Sequence, residues 1–400
     1  MSAIEIKPDV YWIGVNDRTT DLFEGLWPVS QEGVSYNSYL IDDEKKAVID
    51  LAKSIKGDDF FAQIEALTDL SKIDYVVVNH MEPDHSGLIR TLRRINPRVT
   101  LVGSEKTREM LGGFFGITDN IKVVGEGDTL SLGRRTLRFH STPFLHWPET
   151  IMTYEMSHRI LFSCDAFGSY GALQGAVFDD DCTRLNFYTQ EALRYYVNIV
   201  ANFSARVLSA IEKLGDLPVD IIAPSHGLIW RENTALIIGL YRRWAEYASG
   251  PTEPGVTLLF GSMYGNTGIM MDAVAEGISL AKVPVNVFDV ARTHVSYILP
   301  SLWTQKGVMI GAPTYEVSLF PPMSEVLAMA GRKRIHNKTA AYFGSYGWSG
   351  GAQNGVRKLI EPLKWDLTDS LEFKGSPCPE DIEKAREFGR RFAERVKQGK

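Results

Sequence analysis

Four side chains able to bind metal fall within six residues: His80, Glu82, Asp84 and His85, in the run His80-Met81-Glu82-Pro83-Asp84-His85-Ser86-Gly87. The run ends Tyr75–Asn79, a short and mostly apolar stretch of the kind that forms a buried strand. A loop at the C-terminal end of a strand can aim several side chains into one space, which a regular strand or helix cannot. Three more ligand-type residues stand just past apolar strands: His146, Asp165 and His226. Three or four donors hold one ion, so this set serves two ions that share a bridge. Asp165 is the natural bridge, because one carboxylate offers an oxygen to each ion. Mixed imidazole and carboxylate ligation suits iron, manganese or zinc, and it leaves positions open for a small substrate. Burying the cluster with no partner would be costly.

The thiols add little. Cys164 precedes the bridging candidate, and continued strand alternation would turn its side chain away from that of Asp165. Cys182 and Cys378 are far off, and no CxxC pair occurs. Neither a disulfide framework nor a cysteine metal site is expected.

A second chemistry lies beyond residue 255. The apolar strand Val256–Phe260 runs into Gly261-Ser262-Met263-Tyr264-Gly265-Asn266-Thr267 and then a helix. Glycines allow a tight turn, the hydroxyls offer donors, and the helix start adds its positive end. The loop lacks the Gly-Lys-Ser/Thr of a nucleoside triphosphate site, and a neutral nest suits a flavin monophosphate. Two more glycine-containing loops follow strands: Gly311-Ala312-Pro313-Thr314-Tyr315-Glu316 and Gly344-Ser345-Tyr346-Gly347-Trp348-Ser349-Gly350-Gly351. In open α/β sheets ligands bind at that strand end, and Trp348 offers a flat face to a flavin ring.

The elements needed to position these residues can be read from the pattern. Early strands are expected over Val10–Val15, Ser35–Ile41 and Ala47–Ile49, with helices over Ser86–Ile95 and Glu105–Phe114. Thr136–Phe139, Arg159–Ser163 and Asp220–Pro224 read as strands, and Thr189–Leu214 as helix with a break near Asn202. Ala248–Gly255 is small, polar and helix-breaking, which marks a linker after the helical Asn233–Tyr247. Strands at Val256–Phe260, Val285–Val290, Gly307–Ile310, Ala340–Phe343 and Leu371–Phe373 alternate with helices, closing on Glu380–Lys397. That alternation predicts one doubly wound parallel sheet.

A chain of 400 residues fits two domains, and 44% apolar with 23% charged residues is a globular composition. Net charge is −6, and the strongest basic cluster is the short Arg332-Lys333-Arg334. Nucleic acid and membrane are therefore not expected partners. No apolar stretch has the length of a signal peptide core or of a membrane span, so a cytoplasmic location is expected.

The pattern His80-x-Glu82-x-Asp84-His85 with His146, Asp165 and His226 resembles the metallo-β-lactamase fold, which usually carries His-x-His-x-Asp-His and binds zinc for hydrolysis. Glu82 stands where that fold's second histidine would be. The departure resembles the flavodiiron proteins (A-type flavoproteins, including rubredoxin:oxygen oxidoreductases and scavenging nitric oxide reductases), and the added negative charge favours iron. The three later loops resemble flavodoxin, which the same family joins behind its metal domain. The resemblance covers about residues 5–395. It implies a metallo-β-lactamase-like αββα sandwich in 1–249 and a flavodoxin-like, five-stranded doubly wound sheet in 255–400.

Carried over, His80, Glu82 and His146 bind one iron, Asp84, His85 and His226 surround the other, and Asp165 bridges them. His85 is the ligand that some family members hold away from the metal. The expected FMN contacts are Ser262, Met263, Tyr264, Gly265, Asn266, Thr267, Pro313, Thr314, Tyr315, Glu316, Ser345, Tyr346, Gly347, Trp348, Ser349 and Gly350. The resemblance implies an oxidoreductase that reduces oxygen to water, nitric oxide to nitrous oxide, or both. Electrons would come through FMN from a separate rubredoxin-like donor, since no CxxC rubredoxin domain follows. It further implies a head-to-tail homodimer, able to pair into a dimer of dimers. A binuclear zinc hydrolase with a regulatory flavin domain is the alternative reading, against which Glu82 argues.

Overall fold

The computed structural model describes residues 2–399, which divide after Ala245 into two compact units. The first unit holds two mixed sheets. One has seven strands in chain order: Ile4–Lys7, Val10–Trp12, Tyr39–Ile41, Lys46–Ile49, Ile73–Val77, Thr100–Gly103 and Ile121–Val123. The last four are mutually parallel. The other has five: Thr129–Ser131, Thr136–Ser141, Ile151–Glu155, Ile160–Cys164 and Ile221–Pro224. Only its final pair is parallel. The sheets meet face to face through buried side chains. Tyr39 packs at a tilt of 48° against Phe162 with ring centres 5.0 Å apart and donates its hydroxyl to the Pro224 carbonyl. Thr153 likewise donates to Asn79.

Several expected elements are subdivided, some of them at the site. Ser35–Ile41 is two strands, Val34–Tyr36 and Tyr39–Ile41. Between them Asn37 gives its side-chain amide to the carbonyls of Pro224 and Gly227. That bond anchors the turn carrying His226. Val10–Val15 also splits, into Val10–Trp12 and Val15–Asp17. The helix expected over Ser86–Ile95 is a four-residue helix, Pro83–Ser86, followed by Ile89–Ile95. Proline is favoured at the first helical position because its missing N–H is not needed there. The ligand-rich run is therefore partly helical rather than all loop. The long helix begins earlier, at Leu185–Tyr195, and passes through a π turn, Tyr196–Val200. A 3₁₀ turn, Ala201–Phe203, leads into Ser204–Lys213. The break near Asn202 is thus real, and the π turn is a second irregularity of a kind common at functional sites.

The second unit is one parallel sheet in the order Val285–Asp289, Glu253–Phe260, Gln305–Gly311, Thr339–Tyr346 and Asp366–Lys374. Helices Asn266–Leu280 and Pro379–Gln398 cover one face, burying Met270, Val274, Ile278, Phe388 and Phe392 against Val256, Leu258 and Met309. Apolar runs buried on both faces are what a parallel sheet demands. This is the flavodoxin-like doubly wound sheet that the alternating pattern predicts, with the fifth strand longer than Leu371–Phe373.

Candidate metal centre and flavin site

Seven ligand-type side chains converge in the first unit. His80 follows the strand Ile73–Val77, Glu82 stands at the N-cap of the short helix Pro83–Ser86, and Asp84 and His85 lie within it. His146 comes from the loop after Thr136–Ser141, Asp165 from the end of Ile160–Cys164, and His226 from the end of Ile221–Pro224. Asp165 divides the set. Its Oδ2 lies 3.5 Å from His80 Nε2 and 3.3 Å from His146 Nε2, and Glu82 Oε2 is 3.2 Å from both of those nitrogens. Its Oδ1 lies 3.1 Å from His85 Nε2 and 3.3 Å from His226 Nε2. Asp84 reaches those two nitrogens at 3.4 Å. His85 therefore faces the second group rather than pointing away.

These spacings fit ions better than hydrogen bonds. Ligands about 2.1 Å from a tetrahedral ion stand roughly 3.4 Å from one another. Both oxygens of Asp84, Asp165 Oδ1 and the Nε2 atoms of His85, His146 and His226 are buried with no hydrogen-bond partner. Buried polar atoms are ordinarily satisfied, so lone pairs converging in this way call for cations. Two of the outer nitrogens are already committed. His80 Nδ1 lies 2.6 Å from Glu149 Oε1 and His226 Nδ1 lies 2.7 Å from the Ser35 carbonyl. With the proton on Nδ1, each Nε2 lone pair faces inward.

In the absence of ions the cluster is electrostatically polarised. Burial disfavours charge on His80, yet the hydrogen bonds of Glu149 and Glu82 outweigh it and push its pKa up to about 10. His226 also rises to about 10 against burial, through Asp165 and Asp84. The same opposition, with Asp84 and Asp165 prevailing, takes His85 to about 9; Asp165 and Glu82 do so for His146. Asp165, despite burial, is held well below the carboxylate range by the imidazoles around it.

The remaining histidines serve other ends. His140 pairs with Glu126, His158 lies beside Arg135, His294 caps a helix, and His336 meets the Leu363 carbonyl. Cys164 departs from expectation. It has a φ of 56°, so strand alternation ends there, and its thiol lies within 4.8 Å of ligand atoms of Asp50 and His85. Sequence reasoning also missed Glu149, whose carboxylate takes both the His80 imidazole and the Met81 amide. Glu24 was missed too. It sits at a hairpin turn, accepts from Trp27 Nε1, and is pushed up to about 7 by burial and by the neighbouring charge of Glu82. Tyr195 packs its ring 5.6 Å from that of His226, while Tyr196 bonds Ser204.

In the second unit a cavity of about 490 Å³ opens at the C-terminal ends of the parallel strands. Met263, Tyr264, Asn266 and residues 313–316 and 345–349 line it, joined by Val317 and Gly375, which sequence reasoning missed. Ser262, Gly265, Thr267 and Gly350, also expected at the flavin, are not among the lining residues. Ser262 accepts from the Gly265 amide, and Thr267 meets the Ser345 hydroxyl. Gly265 has a φ of 93° at the start of Asn266–Leu280, a conformation that favours glycine. Trp348 is 89% exposed and Tyr264 90%, so both ring faces are free to cover a planar ligand. Glu316 is the only charged side chain on the lining. Aromatic faces over a neutral, donor-rich turn fit a flavin and its phosphate.

Residues 34–227 match the family described as ODP family beta lactamase, and residues 258–389 match flavodoxin. The anaerobic nitric oxide reductase flavorubredoxin of Salmonella arizonae is 36% identical over 397 residues, covering 98% of this chain and 82% of that protein. The protein of the same description from Shigella flexneri matches equally. Among solved structures, the flavodiiron protein of Giardia intestinalis superposes with a TM-score of 0.93 at 30% identity, covering 100% of this chain and 97% of that one. The rubredoxin oxygen:oxidoreductase of Desulfovibrio gigas superposes at 0.92 with 27% identity and 99% coverage of both chains. With both halves matched in one continuous alignment to such relatives, the chain belongs to the flavodiiron protein family.

Proposed function

We propose that this chain is a flavodiiron oxidoreductase that reduces nitric oxide to nitrous oxide, oxygen to water, or both. The observation that carries the reading is the division of one ligand set into two groups by the two oxygens of Asp165. In this reading residues 1–249 hold the iron pair. His80, Glu82 and His146 would hold one ion and Asp84, His85 and His226 the other, bridged by Asp165. Residues 255–400 would hold FMN, with the ring against Trp348 and Tyr264 and the phosphate at 262–267.

When bound, the iron pair and FMN supply one-electron and two-electron chemistry at an open site. Oxygen takes four electrons and four protons to give two waters. Two nitric oxides take two electrons and two protons to give nitrous oxide and water. The protein's part is to fix the ligands from several strand ends and to hold two small molecules, or both ends of one, side by side. Glu149 and Ser35 set the imidazole orientations. A separate rubredoxin-like protein would deliver electrons to the flavin edge. Two chains would pair head to tail, with the flavin of one facing the metals of the other; a fully active monomer by solution scattering and turnover would refute this. The zinc-hydrolase reading is not supported, because relatives spanning both domains carry reductase names.

The test is metal and flavin content of freshly purified protein, with a visible spectrum, followed by anaerobic turnover. Two irons and one FMN per chain with nitric oxide or oxygen reduction are expected. Two zincs and no iron, from cells supplied with iron, would overturn the proposal.

A further inference from the structure

The thiol of Cys164 has neighbours that the sequence does not announce. No cysteine metal site is expected from the spacing of the three cysteines, yet ligand atoms of Cys164, Asp50 and His85 all lie within 4.8 Å of one another. The three arrive from different elements. Asp50 follows the strand Lys46–Ile49 of the seven-stranded sheet, and Cys164 ends the strand Ile160–Cys164 of the five-stranded sheet. His85 lies in the short helix Pro83–Ser86. Asp50 and Cys164 both have left-handed backbone, with φ of 52° and 56°, so each side chain leaves the line of its strand. None of the three residues is more than 2% exposed.

The polar company of this set is modest. Asp50 Oδ1 accepts the Asn79 amide at 2.7 Å, and Oδ2 has only the Ser225 hydroxyl at 3.5 Å. Among the described residues the charged neighbours of Asp50 are His85, His80 and Asp165, with no lysine or arginine. A buried carboxylate ordinarily pairs with a cation or coordinates a metal. The Ser225 hydroxyl stands beside both Asp50 and the Cys164 thiol and is at hand as a fourth donor. Donors about 2.0–2.3 Å from a tetrahedral ion stand roughly 3.3–3.8 Å apart, so closing this set on an ion needs movements on the order of 1 Å. The donors also differ in kind from the seven-residue cluster, because they include sulfur. A thiolate selects zinc-class ions, whereas imidazole and carboxylate alone suit iron.

We propose that Cys164, Asp50 and His85 form a third cation site, which takes a thiophilic divalent ion of the zinc class. Binding forms a sulfur–metal bond and releases the thiol proton to solvent; no electron moves. His85 is common to this set and to the group it forms with Asp84 and His226, so an ion held here draws on an imidazole of the second group. The site stands on the placement of its own three side chains and holds whichever metal fills the cluster beside it.

The experiment is X-ray absorption at the zinc edge, on iron- and FMN-loaded protein given one equivalent of zinc. Cys182→Ser with Cys378→Ser, at a half-buried and an exposed position, leaves Cys164 as the remaining thiol. In that background zinc should show a sulfur neighbour at about 2.3 Å beside lighter donors at about 2.0–2.1 Å. Adding Cys164→Ser should remove the sulfur neighbour and lower zinc affinity, by chelator competition, more than the roughly 100-fold typical of changes outside the coordination sphere. Asp50→Asn should weaken zinc while the sulfur neighbour stays. Iron and FMN content checks that each variant is folded, and the background protein alone decides the matter if Cys164→Ser is not. Zinc that is not taken up, or that is bound with no sulfur neighbour in the background protein, overturns the proposal. Zinc found in place of iron at the seven-residue cluster would sink the reductase reading instead. That cluster offers only nitrogen and oxygen, so the sulfur signal would still report on Cys164.

Discussion

The metal cluster and the flavin cradle hold their ligands by opposite means. His80, His85, Asp165 and His226 are all buried, His80 and His226 are fixed by second partners, and the cluster is unsatisfied as a set of protein atoms alone. The flavin cradle is open, nearly uncharged, and made of backbone turns and exposed aromatic faces. A buried ionic site is strained toward one kind of occupant, because leaving its lone pairs empty carries a desolvation cost. An open neutral site relies on the area and flatness of what it binds. Disturbing the first should abolish binding at once, whereas disturbing the second should weaken it by degrees.

The sharpest test removes the shared carboxylate. Asp165→Asn should lower iron content and cut turnover by more than the roughly 100-fold typical of changes outside the coordination sphere, with FMN retained. Loss of flavin as well, by absorbance of the purified protein, would break the contrast between the two sites. Glu149→Gln leaves every direct ligand in place and frees His80 Nδ1 from its carboxylate. Iron affinity should fall about tenfold to 100-fold in a chelator competition. In the cradle, Trp348→Ala should weaken FMN about tenfold, since ring stacking contributes roughly 0.5–1.5 kcal/mol beyond area burial. Fluorescence titration of flavin-stripped protein measures this, and iron content should not change.

The smallest effect is on stability. Without metal, the folded protein keeps protons on His80 and His226 up to about 10 and on His85 and His146 up to about 9. The unfolded chain releases them near 6.5, so the folded state binds the excess protons. The stabilisation is full below that value and is lost as pH rises toward 9 and 10. Melting temperature of chelated protein should therefore fall across this window, while that of metal-loaded protein stays flatter. A chelated protein that grows more stable with rising pH would contradict the charge state described for the cluster.

The contrast also explains which parts of the two sites are legible in the sequence. Ligands at strand ends are legible because the strand announces itself by its apolar run and the ligand follows it. His80, His146, Asp165 and His226 all obey that rule. Glu149 does not, because it faces His80 from a loop 69 residues away and nothing local distinguishes it from a surface glutamate. Glu24 was hidden differently: its hairpin, Leu22–Phe23 with Trp27–Pro28, is local, but two-residue strands carry no periodicity to read. In the second unit the βα alternation fixes the strand order by topology, so its three loops could be placed together. Val317 and Gly375 escaped notice because they reach the cavity from the Thr314–Leu319 hairpin and from beyond the fifth strand. The four-residue helix inside the metal run was missed because its proline reads equally as a turn.

The left-handed backbone at Cys164 constrains what position 164 can become. With φ at 56°, the residue redirects the chain so that Asp165 enters the cluster instead of continuing the strand. Side chains branched at Cβ meet the following carbonyl in that conformation, whereas glycine does not. The position is therefore governed by shape of the main chain rather than by hydrophobic volume. Valine, which is larger and branched at Cβ, is a poor replacement there. Among variants of this chain, position 164 should drift through small unbranched residues.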